Sequence, residues 1–486
     1  MTGRAALSCV AASTGLIVAA GLLGPSVAQP PLGPRNARRA HPPYSLFLEP
    51  SPWLVSGLIA AALVLGVAAV LLGLRALRRG WSPDPRRLLA AAGIAVAVLM
   101  LVPPMGSADH LSYAAYGRIA VAGDDPYVEA PNRWRGGTDP VAGAVEPPWE
   151  WTPSVYGPVA TAEQALASLV GGTSVHTTVL VLMLVNAGAF LGTGLLLHRL
   201  LRGDRQRQVR AALLWSLNPL LLYELVVGAH LDTVAVALGI AGLAVVRRGL
   251  GGAAVAGALV GAAVAVKLPL ALFGGALVWV LRRDPRRLVL LAVGALAVLV
   301  PTYLAAGPHV FDQLRRAATY VSLATPWRLL LDPLTTGAGD GQGRRIITLG
   351  AAVAAGLLAL LLFRALPRHR DGDERTDHHA AHVACVLTVA WVLAAPYALP
   401  WYDALVWAPL ALLPASRLDA LLLARTFVLA LAYVPGRAVT LLPVDLREVT
   451  LVYRADVAPW LVLALILTVA GMAATGRLRS RPAPVP

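Results

Sequence analysis

The chain has 486 residues, of which 57% are hydrophobic, with a mean hydropathy of +0.67 and a formal net charge of +15. An apolar share this high, arranged in long runs, excludes an ordinary soluble domain and points to a polytopic membrane protein. The charge comes almost wholly from arginine, with Lys267 the only lysine, and it is split among short clusters between apolar runs, which argues against a nucleic-acid partner.

Apolar stretches of about 17 to 25 residues, enough to cross a bilayer as helix, recur along the chain. Spans are expected at 5–25, 53–74 and 88–105, then, after a polar interval, at 176–198, 211–227 and 232–246. The first stretch also fits a cleavable signal peptide ending at Ser26-Val27-Ala28. The segment Gly251 to Leu281 is interrupted at Lys267-Leu268-Pro269; it reads as one kinked helix or two short ones, and only two spans keep the charge alternation intact. Further spans are expected at 288–305, 346–363, 380–399, 403–414, 418–436 and 456–476, with 403–414 short enough to be re-entrant. The expected fold is an all-α polytopic transmembrane helical bundle of about 12 to 14 spans, a single domain over residues 1–486.

Arginines cluster at 75–87, 199–210, 247–248, 282–287, 364–370 and 477–481, alternating with uncharged or acidic junctions. By the positive-inside rule this puts both termini in the cytoplasm and interval 106–160 outside the cell membrane. Arg35, Arg38 and Arg39 depart from that pattern. Cys9 and Cys385 lie far apart in apolar runs and imply no disulfide framework. His369, His378, His379 and His382 include one i, i+4 pair but sit among mixed charges, which favours a solvated cytoplasmic loop over a metal site.

Interval 106–160 carries seven acids, three arginines and three tryptophans inside a chain made largely of Ala, Leu, Val and Gly. A long ordered loop of this kind is costly and marks the place to look for chemistry, an extracytoplasmic catalytic loop. Asp109 opens it. An ionisable residue at a membrane boundary is a functional candidate, although Asp109 also reads as the N-cap of a helix carrying Tyr113, Tyr116 and Arg118. Asp124 and Asp125 suit a divalent metal or, before Pro126, a turn. The tryptophans and tyrosines can stack on sugars or anchor the interface.

A second outer loop, 306–345, contains an amphipathic segment from His309 to Ser322, read as an interfacial helix or as a loop helix packed on its neighbours. Several other spans end on the same side in polar groups: Asn218-Pro219 and Glu224, then His230 and Asp232, then Lys267, then Trp401, Tyr402 and Asp403. Such convergence suggests a pocket at the lip of the bundle. His230 alone reads equally as a structural histidine, and Lys267 as a phosphate-neutralising or a snorkelling cation. No nucleotide-binding motif, zinc-protease motif or dinucleotide fingerprint occurs, so no cofactor is expected beyond a possible divalent metal at Asp124 and Asp125.

Taken in order, Asp109-His110-Leu111-Ser112-Tyr113, Tyr116-Gly117-Arg118, Gly123 to Tyr127, Thr152 to Pro158, Asn218-Pro219, Gly228 to Asp232, Val266-Lys267 and Pro400-Trp401-Tyr402 resemble the polyprenol-phosphate-mannose-dependent α-1,6-mannosyltransferases, of the GT-C type. The resemblance implies a polyprenyl-phosphate-linked sugar donor, a glycan or glycolipid acceptor and membrane lipid as partners, an inverting reaction, and Asp109 as catalytic base. Sidedness and charge add Arg118, His230 and Lys267 as candidates for the donor phosphate, and Tyr113, Tyr116, Tyr156, Asp232, Trp401 and Tyr402 for sugar or acceptor. A transporter or lipid flippase accounts for the spans equally well but accounts poorly for the acidic, tryptophan-rich loop, and it leads one to expect paired broken helices.

Overall fold

The structure, a computed structural model, describes residues 2–33, 40–366 and 376–478. Arg35, Arg38, Arg39, His369 and the charged stretch around it lie outside the described residues. Within them every regular element is helical, with one isolated antiparallel bridge between Ser26 and Gln29. In chain order the main helices are α1 (Thr2–Leu23), α2 (Pro52–Arg78), α3 (Pro85–Leu99), α4 (Asp109–Val121), α5 (Pro158–Gly171), α6 (Val175–Leu200), α7 (Arg205–Val227) and α8 (Asp232–Val245). There follow α9 (Gly249–Val266), α10 (Leu268–Leu281), α11 (Pro285–Ala306), α12 (His309–Ala317) and α13 (Arg328–Ala338). The last five are α14 (Asp340–Ala365), α15 (Thr376–Ala394), α16 (Ala404–Ala411), α17 (Leu418–Tyr433) and α18 (Val444–Ala474).

Among the described residues, eight helices are long and apolar enough to cross a membrane: α1, α2, α6, α7, α9, α11, α14 and α18. The chain is a multi-pass membrane protein of the expected helical-bundle class. The other apolar stretches are also helical, and turns shorten several of them: Lys267 is extended, with φ −149° and ψ 119°, and divides α9 from α10. The stretch at 403–414 becomes the eight-residue α16, buried throughout and about 12 Å long. Helix α7 is broken internally by Asn218-Pro219, with π-turns at Ala212–Ser216 and Leu222–Val227 on either side. Asn218 repairs the break, accepting from Leu220 N at 3.2 Å and donating to Leu214 O at 3.1 Å.

Close packing in a bilayer depends on small residues, since lipid is as apolar as the helices themselves. Gly257 and Gly261, a Gly-x-x-x-Gly pair on α9, face α11; a Cβ at Gly257 would stand 2.0 Å from Leu291 O. The arginine-rich junctions also gather together. Arg205 donates to Ser82 O and Pro83 O, and Arg207 to Leu412 O. Arg210, fully buried, pairs with Asp419 at 2.6 Å and donates to Leu413 O at 2.7 Å.

Two loop readings are sharpened. Helix α12 buries Val310 and Gln313, and Gln313 donates to Tyr127 O at 3.3 Å, tying the second loop onto the first while Phe311 stays exposed. Helix α15 starts before residue 380, so His378, His379 and His382 are helical, and His382 is buried against Phe363 rather than solvated. Among the described residues, no group of three His, Cys, Asp or Glu is disposed to hold a metal ion.

Candidate active site

Asp109 stands at the first position of α4, but it does not cap the helix. The N-cap is Ala108, and the Asp109 amide donates to Ser107 Oγ at 3.0 Å, so Ser107 takes the local capping role and leaves the Asp109 carboxylate free of it. That carboxylate is 17% exposed and receives the Tyr113 hydroxyl on Oδ2 at a long 3.5 Å. Burial pushes its pKa up to about 6, and Lys267 and the bonds from Tyr113 and Ser107 pull it part of the way back.

It opens on a cavity of about 590 Å³ walled chiefly by aromatic and apolar side chains. Tyr116, Tyr156, Lys267, Trp401 and Tyr402 also line it. Lys267 Nζ lies 2.6 Å from Asp232 Oδ1 and 3.8 Å from the centre of the Tyr402 ring, a salt bridge and a cation–π contact on one ammonium. The break between α9 and α10 therefore delivers the only lysine to the cavity. Gly157, at the start of α5, packs against that same break: its amide donates to Val266 O, and a Cβ would come 2.2 Å from Ala265 O.

His230 lies behind the wall, wholly buried. It stacks on Trp401 with ring centres 3.8 Å apart and planes 13° off parallel. Its Nδ1 meets Glu224 O at 2.5 Å, and since a carbonyl only accepts, Nδ1 carries the proton; Nε2 then accepts from Ser107 Oγ at 3.1 Å. Burial lowers its pKa to about 3, so it is a neutral brace for Ser107 and Trp401 and brings no positive charge to a phosphate. Its Nε2 is 3.7 Å from Asp109 Oδ2. Tyr113 is buried against Tyr156, edge to face at 5.1 Å, and Tyr116 donates to Thr152 O at 2.8 Å, which ties α4 to the end of the first loop.

Tyr113, His230 and Asp232 thus stand behind the lining, and three further sequence candidates are engaged elsewhere. Arg118 pairs with Asp139 at 3.1 Å, and Asp139 also accepts from the amides of Val141 and Ala142, an arrangement that braces the first loop. Asp124 accepts from Trp134 Nε1 at 2.8 Å, and Asp125 from Tyr127 N at 2.8 Å, the latter a turn-forming contact. Conversely, sequence reasoning missed much of the wall: Tyr303, Tyr320, Trp391, Tyr397, Tyr433, Arg437 and Arg454 all line the cavity. These residues come from helices and loops far along the chain, and nothing local in the sequence joins them to Asp109. Arg437 meets Glu146 at 3.0 and 2.5 Å and donates to Ser26 O at 3.1 Å, clamping the first loop to the C-terminal part.

The turn that supplies Trp401 and Tyr402 is held from behind. Asp403, fully buried, pairs with Arg425 and accepts from Thr426 Oγ1 at 2.7 Å, while Arg425 also donates to Val392 O at 2.5 Å. A buried pair with further hydrogen bonds fixes geometry because loss of either member strands the other charge.

Comparison with known proteins adds an independent line. A family model described as alpha-(1->6)-mannopyranosyltransferase, N-terminal domain, matches residues 11–283, more than half of the chain. Curated relatives include alpha-(1->6)-mannopyranosyltransferase B of Corynebacterium glutamicum, 31% identical over 157 residues, which is 32% of this chain and 26% of that protein. A probable alpha-(1->6)-mannopyranosyltransferase of Mycolicibacterium smegmatis is 33% identical over 156 residues, 31% of this chain and 27% of that protein. The matched segments thus span about a quarter of the relatives' length. No solved structure matches. On the family match, the chain belongs to the alpha-(1->6)-mannopyranosyltransferase family.

Proposed function

We propose that this protein transfers a mannosyl unit from a polyprenyl-phosphate-linked donor to a glycan or glycolipid acceptor at the outer face of the membrane, with inversion and formation of an α-1,6 linkage. The observation that carries this reading is one carboxylate, Asp109, opening on an aromatic cavity that also presents Lys267. In a single displacement the acceptor 6-hydroxyl oxygen attacks the anomeric carbon and its proton passes to Asp109. The bond from that carbon to the phosphate oxygen breaks, and polyprenyl phosphate departs with the electron pair. Tyr116, Tyr156, Trp401 and Tyr402 offer flat apolar faces with polar edges for the sugar and acceptor, and Asp232 holds the Lys267 ammonium in place. No cofactor is assigned to the step.

The test is transfer from radiolabelled polyprenyl-phosphate-mannose to a mannoside acceptor in membranes containing the protein. Asp109→Asn is expected to lower turnover by about 10²- to 10⁴-fold, the usual worth of a general base, while inserting normally. Full activity in that variant, or no transfer by the wild type, refutes the reading.

A further inference from the structure

We infer that Arg454 is the residue that holds the donor's phosphate, an assignment that rests on the lipid-phosphate reading above. Three cations line the cavity: Lys267, Arg437 and Arg454. The first is matched by Asp232 and the second by Glu146, each at hydrogen-bond distance, so a phosphate there must compete with a carboxylate already present. Arg454 has no such partner among the described residues. Its Nε donates to Ala432 O at 2.6 Å, and its guanidinium carbon lies 4.4 Å from the centre of the Tyr433 ring. One backbone carbonyl and one ring face orient the side chain without neutralising it. Four of its five N–H donors remain, in the flat fork that grips phosphate oxygens two at a time.

Local structure agrees. Arg454 belongs to a π-turn, Tyr453–Val457, at the point where the charged start of α18 gives way to the apolar run Ala458–Ala474. Such widened turns recur at functional sites, and a guanidinium that lines the cavity with no carboxylate on it among the described residues is available to an anion. Its relation to Asp109 also suits the reaction. Tyr433 packs on Trp401 at 5.9 Å and Trp401 on His230, which neighbours Asp109, so Arg454 and the acid stand at opposite ends of one aromatic wall. Inversion requires the attacking and leaving oxygens on opposite faces of the sugar carbon. A base at one end and a phosphate clamp at the other meet that requirement.

The experiment measures binding of a short-chain polyprenyl phosphate, the matching polyprenol and inorganic phosphate to the full-length protein in nanodiscs, alongside transfer kinetics. Arg454→Gln is expected to weaken polyprenyl phosphate binding at least about tenfold and raise the donor KM, Arg454→Lys to recover part of it, and polyprenol binding to stay unchanged in both. Unchanged polyprenyl phosphate binding in Arg454→Gln, an equal loss of polyprenol binding, or no binding by the wild type overturns the inference. Inorganic phosphate binding as tightly as the lipid overturns the assignment to a lipid-linked group. Arg454-dependent lipid-phosphate binding without mannosyl transfer by the wild type refutes the transferase reading alone, whereas normal donor KM in Arg454→Gln with active wild type refutes the Arg454 assignment alone.

Discussion

A carboxyl that titrates near 6 serves as a base only in its ionised form, so the role proposed for Asp109 ties turnover to pH. Below about 6 the rate is expected to fall roughly tenfold per pH unit, because the ionised fraction does. Lys267 is the largest influence holding that pKa down against burial. In Lys267→Met, Asp109 should therefore titrate higher, and the acid limb of the pH–rate profile should move to higher pH; a limb that stays in place argues that Asp109 is not the titrating group. At this scale the sequence was a partial guide. Asp109 and Lys267 stood out because each is a charge beside an apolar run. Arg118 stood out for the same reason, but its partner Asp139, twenty-one residues on, claims it. Pairing of this kind is decided by how a loop folds back, which local spacing does not encode.

The helices deliver these side chains at breaks, between helices or within one. Lys267 arrives by the extended residue between α9 and α10, Trp401 and Tyr402 by the turn before α16, and Arg454 by the π-turn in α18. Proline after Lys267 and before Trp401 announces the first two breaks. The third is followed by Pro459, but nothing local joins Arg454 to a cavity whose other residues lie far away in the sequence. The turn before α16 depends on the buried Asp403–Arg425 pair. Arg425→Met should cost about 3–5 kcal/mol in thermal or denaturant unfolding of the solubilised protein, since it strands the Asp403 carboxylate. Loss below about 1 kcal/mol indicates that the pair is not what fixes this turn.

Across the whole molecule, apolar runs were enough to anticipate a helical membrane bundle. What they could not convey was which helix ends meet, because lateral packing rests on contacts such as Gly257 on Leu291 and Arg437 on Glu146, between residues far apart in sequence. The sidedness proposed above has a direct check. In a background with Cys9 and Cys385 replaced by alanine, Thr138→Cys should react with an impermeant thiol reagent in whole cells and Gln206→Cys should not. Both positions are exposed, so the reverse pattern inverts the orientation.

The cavity is composite in origin. Asp109, Lys267 and Asp232 fall within the stretch matched by the family model, whereas Tyr303, Tyr320, Trp391, Trp401, Tyr433 and Arg454 fall beyond it. The proposed base and about half of the cavity wall thus lie in different parts of the chain. In the proposed reaction, changes confined to the later part alter the surroundings of the substrates and leave Asp109 and Lys267 in place. Grafting the segment after residue 283 from a relative onto this chain is accordingly expected to alter acceptor preference while the acid limb of the pH–rate profile stays near 6.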